Sequence, residues 1–207
     1  MTTQDYLQII PAQHHGTEIE AEASVELNQA DAAEHFALAK QRLLNVKMWH
    51  NTAGVISADF QIVDAAGKEY DREISKGDFM RVDIPGPGSK EGDGYDWVQV
   101  EELKEYNEGD VQSIGFTVRP VPNPLTEKDV VAHFYDSGST STFIVTREGT
   151  KLSASIIDCN IKPNEEAASL TDKIRNTAVG ISAIATFSKV QWQQLANGLV
   201  NVGKKGE

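Results

Sequence analysis

The chain has 207 residues, 40% of them hydrophobic and 24% charged, the balance of an ordinary globular protein large enough to bury a core without disulfides or metals. Thirty-one acidic residues against 19 basic ones give a formal charge of −12, and the densest cationic spot is Lys204–Lys205 at the tail, so nucleic-acid binding is not expected. Cys159 is the one cysteine, which excludes an internal disulfide, and no apolar run approaches the roughly 20 residues of a membrane span. The N-terminus lacks the basic and apolar regions of a signal peptide, so the expected location is cytoplasmic.

No repeat or low-complexity stretch divides the chain, and a single domain over 1–207 is expected, with 1–16 as a flexible arm and 201–207 as a flexible tail. "TEIEAEASVEL" alternates and reads as the first strand. A helical region follows in "DAAEHFALAKQRLLNVKMWHNTAG", where Phe36, Ala39, Leu43 and Val46 recur at steps of three and four. A break near Asn45 would split it into two short helices, and Gly54 is a plausible stop. Strand sequence then dominates: "ISADFQIVDAAGKEY", "DFMRVDI", "YDWVQVEEL", "VQSIGFTVRPV", "DVVAHFYDSG", "STSTFIVTREG" and "KLSASIIDCNI", joined by Gly-, Asn-, Asp- and Pro-rich turns. Short turns between consecutive strands imply an antiparallel sheet. After Pro163 and Asn164 a long helix is expected, with Leu170, Ile174, Ala178, Ile181, Ala185, Trp192, Leu195 and Leu199 on one stripe and a bend at Gly180. That stripe needs a surface to cover, and the concave face of the curved sheet supplies it.

This α+β order, with one or two short helices after the first strand, about seven antiparallel strands and a long C-terminal helix, resembles the helix-grip fold. That fold is shared by START lipid-transfer domains, the birch-pollen-allergen family and polyketide cyclases. The passage "AKQRLLNVKMWHNTAG" is similar to the short-helix-then-Trp stretch found after the first strand there, and the resemblance spans about Thr17 to Val200. It implies a cavity between sheet and terminal helix that holds an apolar or amphipathic ligand. In some members that cavity catalyses cyclisation, and others act as regulators.

The candidate ligand-binding residues are Trp97, Arg119, His133 and Tyr135. His133 and Tyr135 share a face if "VVAHFYDSG" is a strand; Arg119 is in phase with Ser113 and Thr117, and Trp97 with Tyr95 and Gln99. Lining a cavity, they would offer a cation, an imidazole and two ring systems to a carboxylate or phenol head. The bland alternative puts His133 and Arg119 in solvent and Trp97 in the core. Two other readings stand beside ligand binding: a cyclase- or hydrolase-like enzyme with His133 as base, and a regulatory or interaction domain with a filled core.

The loop "PGPGSKEGDG" carries two prolines and four glycines in ten residues, yet it satisfies neither a phosphate-loop nor a dinucleotide fingerprint. A calcium reading through Glu91, Asp93 and Asp96 lacks the EF-hand register, leaving a strand connector that could rim the cavity. No metal or cofactor is expected: the five histidines have no ligand spacing, and His14–His15 has no completing carboxylate or cysteine. His50 reads as surface, Trp49 as a core anchor, Cys159 as a small buried hydrophobe, and adjacent Glu101 and Glu102 as facing opposite sides of a strand. Phe187, about 140° from Trp192 around the helix, is a candidate homodimer contact or cavity lid.

Overall fold

The computed structural model describes residues 4–52, 58–84, 92–127, 129–164 and 178–203, with the side chains of 178–185 and 187 left aside. The strands are β1 (Thr17–Glu26), β2 (Asp59–Val63), β3 (Glu69–Tyr70), β4 (Phe79–Asp83), β5 (Asp96–Glu108), β6 (Val111–Pro120), β7 (Thr140–Glu148) and β8 (Lys151–Ile161). The helices are α1 (Ala32–Leu44), α2 (Trp49–Thr52) and α3 (Ala178–Leu199), with a 3-10 turn at Val46–Met48. One antiparallel sheet has the order β1-β8-β7-β6-β5-β4-β2-β3. This is the helix-grip architecture, with eight strands where about seven were expected because "GKEY" forms a two-residue strand.

Alternation sets which face each side chain takes. Phe60, Ile62, Met80, Val82, Val98, Val100, Ile114, Phe116, Val118, Phe143, Val145, Ala154 and Ile156 form one core with Phe36, Ala39 and Leu43 of α1 and Leu195, Ala196 and Leu199 of α3. All four residues of the expected α1 stripe are buried. The break at Asn45 occurs as expected: a 3-10 turn re-aims the chain so that Trp49 points inward. The Trp49 indole lies 4.8 Å from the ring of Phe143, 5.0 Å from Phe60 and 6.1 Å from Phe116. Its N–H donates to the carbonyls of Arg42 and Leu43, satisfying acceptors left open where α1 ends.

The convex face is also covered. Residues 5–10, expected to belong to a flexible arm, carry Leu7 and Ile9 into a small cluster against Ile144. Asp5 accepts from the backbone N–H groups of Leu7, Ile9 and Ile10, and Thr117 donates to the Ile9 carbonyl at 3.0 Å. Gly115 is where Leu7 lands: a Cβ there would sit 2.6 Å from the Phe143 carbonyl and 3.0 Å from Leu7 Cδ1.

Asn160, at φ +57°, ties down the rest of the segment. Its amide donates to Ala12, its side-chain oxygen accepts from His14 and His15, and its own N–H donates to Gln13. Replacing Asn160 with Ala removes the side-chain bonds and leaves a residue with no polar group to offset the left-handed backbone. The expected result is a loss of about 1–3 kcal/mol in urea unfolding, with faster hydrogen exchange confined to residues 4–16. A variant as stable and as protected as the parent would show that the arm is held by its apolar contacts alone.

Candidate functional site

The expected strand "DVVAHFYDSG" does not form. It makes isolated bridges only, Val131 to Pro122 and Tyr135 to Pro163. Side chains take the backbone groups a ladder would need: Asn164 donates to the carbonyls of Val131 and His133, Asp96 accepts from Phe134 N–H, and His133 Nδ1 accepts from Tyr135 N–H at 2.9 Å. The segment is therefore part of a long irregular connection between the adjacent antiparallel strands β6 and β7. Here His133 and Tyr135 are not related by strand alternation.

Between this connection, the sheet and α3 lies a cavity of about 50 Å³. Its apolar wall comes from Phe60, Met80, Val82, Val98, Val118 and Phe143. His133, Ser141, Ser188 and Gln191 supply polar groups, with Trp192 beside them. Ser188 and Trp192 are one helical turn apart on α3 and so meet the cavity together.

The four expected ligand contacts separate. His133 lines the cavity. Tyr135 is buried against Ile19 and Ile161, with its hydroxyl 3.4 Å from that of Ser188. Trp97 and Arg119 lie on the opposite face of the sheet and are not among the residues that line this cavity. Trp97 pairs in register with Arg81, the position next to inward-facing Met80, and is buried against Val63 and Ala132 beneath the β6–β7 connection. Its indole donates to the Gly92 carbonyl. Arg119 donates to Glu101 at 2.6 Å and to the Ser137 carbonyl at 2.8 Å.

Two buried carboxyl groups were missed as site residues. Asp158 faces inward, in register with Ser141 on β7 and Ile19 on β1. It is 1% exposed, its Oδ2 accepts from the Trp192 indole at 2.8 Å, and its Oδ1 has no hydrogen-bond partner among the described residues. Burial raises its pKa to about 6, with the Ser141 hydroxyl and the indole pulling the other way. Asp96, also buried, stands 3.8 Å from His133 Nε2. Burial raises it to about 7 and drops His133 to about 3. A signal existed for both: each is an acid in phase with an apolar strand face, Asp158 with Ala154 and Ile156, Asp96 with Val98 and Val100.

His133 is poorly suited as a general base. Its Nδ1 already holds a backbone proton, which leaves the ring hydrogen on Nε2, and burial has lowered its affinity for another proton. Asp96 turns inward to Phe134 and His133 instead of joining Asp93 in a loop site. No group of three metal-binding side chains occurs among the described residues. Cys159 is buried and its thiol is pushed up to about 11, first by burial. His50 is on the surface, 3.8 Å from Asp59. Residues 85–91 of the glycine loop, Gly54, the first part of the expected terminal helix at 165–177 and the Phe187 side chain lie outside the described residues. No helix among the described residues is long and apolar enough to cross a membrane.

No family model matches the chain, and no curated protein matches it. Among solved structures it is similar to the hypothetical protein jhp0584 from Helicobacter pylori, with a TM-score of 0.50 and 11% identity over 97% of each chain. The protein TTHA0849 from Thermus thermophilus gives a TM-score of 0.44 at 10% identity, covering 89% of this chain and 94% of that one. Norcoclaurine synthase from Thalictrum flavum gives 0.39 at 10% identity, covering 95% of this chain and all of its own. At these identities the likeness is one of fold.

Asp96 gives the site a pH signature of definite sign. Its folded pKa of about 7 lies above the unfolded value of about 3.9, so its contribution is fully present below about pH 4 and is lost as pH rises through about 7. Comparison with Asp96→Asn removes this carboxyl group together with its coupling to His133, 3.8 Å away, and leaves the more distant titrating groups common to both proteins. Between about pH 5 and 8 the parent should lose about 2 kcal/mol relative to Asp96→Asn in urea unfolding. A constant difference would mean that Asp96 ionises normally.

Proposed function

We propose that the protein binds a small amphipathic molecule in the cavity between the sheet and α3. The observation that supports this reading is the convergence of His133, Ser141, Ser188 and Gln191 on a void otherwise walled by apolar side chains. A ligand with a polar head and an alkyl body offers polar and apolar contacts to such a lining at once.

Size limits that ligand. Pockets for drug-sized molecules run from about 300 to 1,000 Å³. At about 50 Å³ this cavity has room for a few heavy atoms, given the roughly 10–15 Å³ a water needs on the same measure. The occupant is therefore a short-chain molecule and not a sterol or an acyl lipid. The same smallness favours one second reading, an interaction domain with a filled core, because Trp49, Phe60, Phe116, Phe143 and Trp192 already occupy much of the grip.

A titration separates the two. Short alcohols from ethanol to isoamyl alcohol are added to isotope-labelled protein, and the indole resonance of Trp192 is followed. Under the ligand reading affinity rises with each methylene until the cavity is full and then falls. Val118→Phe, which projects into the cavity from β6, should abolish the shifts while retaining the fold. Absence of any Trp192 shift across the series would leave the filled-core reading.

A further inference from the structure

We propose that the polar end of this cavity is an amine site, with Asp158 as the group that takes the ligand's ammonium head. This assignment of a ligand class rests on the ligand-binding reading above.

Three observations carry it. The first is the unpartnered Oδ1 of Asp158, a side chain 1% exposed that finds no donor for this oxygen among the described residues. A buried carboxylate oxygen is costly to leave without a full donor, and the Ser141 hydroxyl and the Trp192 indole only partly ease the charge of this carboxyl group. Its other oxygen is fixed by the Trp192 indole, and Trp192 itself lines the cavity. Asp158 is not itself a lining residue, but its register partner Ser141 and its hydrogen-bond partner Trp192 both are.

The second observation is the sign of the surroundings. Among the described residues, none that lines the cavity is Lys or Arg. The ionisable groups described near it include Asp158, Asp96 and the Tyr135 phenol, and burial keeps His133 neutral. Asp158 raises the pKa of Tyr135 along with burial, which places its negative charge within electrostatic reach of that ring. Among the described lining residues an anionic head would meet no Lys or Arg. A carboxylate ligand needs a cation such as Arg119, which is paired with Glu101 on the other face.

The third is the hydrogen-bond inventory. Ser141, Ser188 and the Gln191 carbonyl oxygen can each accept, so an ammonium group with three N–H donors can be shared among Asp158 Oδ1 and these neighbours. A hydroxyl head brings one donor and no charge. The aromatic faces of Phe143 and Trp192, 5.2 Å apart in an edge arrangement, add a surface that favours a cation.

The test uses three probes of one shape: isobutylamine, isobutanol and isobutyrate. Each is titrated at about pH 7.5, above the Asp158 pKa, while the indole N–H resonances of Trp49, Trp97 and Trp192 are followed. The amine should move Trp192, leave Trp97 in place, and bind at least about tenfold more tightly than either other probe. Asp158→Asn keeps an acceptor for the Trp192 indole and should reduce the amine to the affinity of the alcohol. Equal affinity for amine and alcohol, tighter binding of isobutyrate, or a preference that survives Asp158→Asn would overturn the amine assignment while the cavity reading stands. No shift at Trp192 with any probe would overturn both. The ranking on the parent protein decides the matter even if the variant does not fold.

Discussion

Trp49 is the side chain on which the interior depends. It is fully buried, it holds the C-terminal carbonyls of α1, and its ring meets Phe60, Phe116 and Phe143 from β2, β6 and β7. The concave face of a strongly curved sheet leaves more volume than one helix can fill, and apolar surface left in contact with water is unfavourable. The short turn at Val46–Met48 answers this by aiming an indole into the space. Trp192 extends the same cluster from α3, edge-on to Phe143. What these two indoles leave open is a small cavity at one end of the grip.

The polar groups gather at that end for a topological reason. The chain does not turn tightly from β6 into its neighbour β7 but takes a long connection, and such a connection carries backbone groups that no ladder satisfies. Asp96, Asn164 and the His133 imidazole satisfy them. The same residues bring an imidazole and a carboxyl group into the protein interior. His133 therefore has a structural role through Nδ1 and a cavity-lining role through its ring, and the first constrains the second by fixing the tautomer.

Much of the architecture was legible because its signals are local. Phe36, Ala39, Leu43 and Val46 repeat with helical spacing, the strands alternate, and the break at Asn45 and the hairpin at Gly149 have recognisable turn chemistry. The site was less legible, and the convex face explains why. Residues 4–10 cover β6 and β7 from outside, so both faces of those strands are buried and alternation loses its solvent side. Trp97 and Arg119 keep the phase that alternation assigns them but take the outer side, because only the packing of Val63, Ala132 and the arm decides which phase faces outward. The reading of "VVAHFYDSG" failed because its propensity is that of a strand, while the competing hydrogen bonds come from Asp96 and Asn164, each about 30 or more residues away in sequence. Asp158 and Asp96 were readable as acids out of place on apolar faces, but the glycine loop and Cys159 carry the more conspicuous patterns.

The contrast between the two buried acids bears on what the interior is built to do. Asp96 has a structural duty: it accepts from Phe134 N–H and faces the His133 ring, and a carboxyl group raised to about 7 can serve there in either protonation state. Asp158 holds no backbone group among the described residues. The Trp192 indole donates to it and the Ser141 hydroxyl eases its charge, and an amide or a water could receive the indole's bond at lower desolvation cost than an acid. If packing were the only demand, a serine or an apolar residue in phase with Ala154 and Ile156 would fill the position with less strain on the fold. A carboxyl group with one oxygen satisfied and one left open, beside a cavity that Trp192 also lines, is the arrangement expected of a site whose last donor comes from outside the chain.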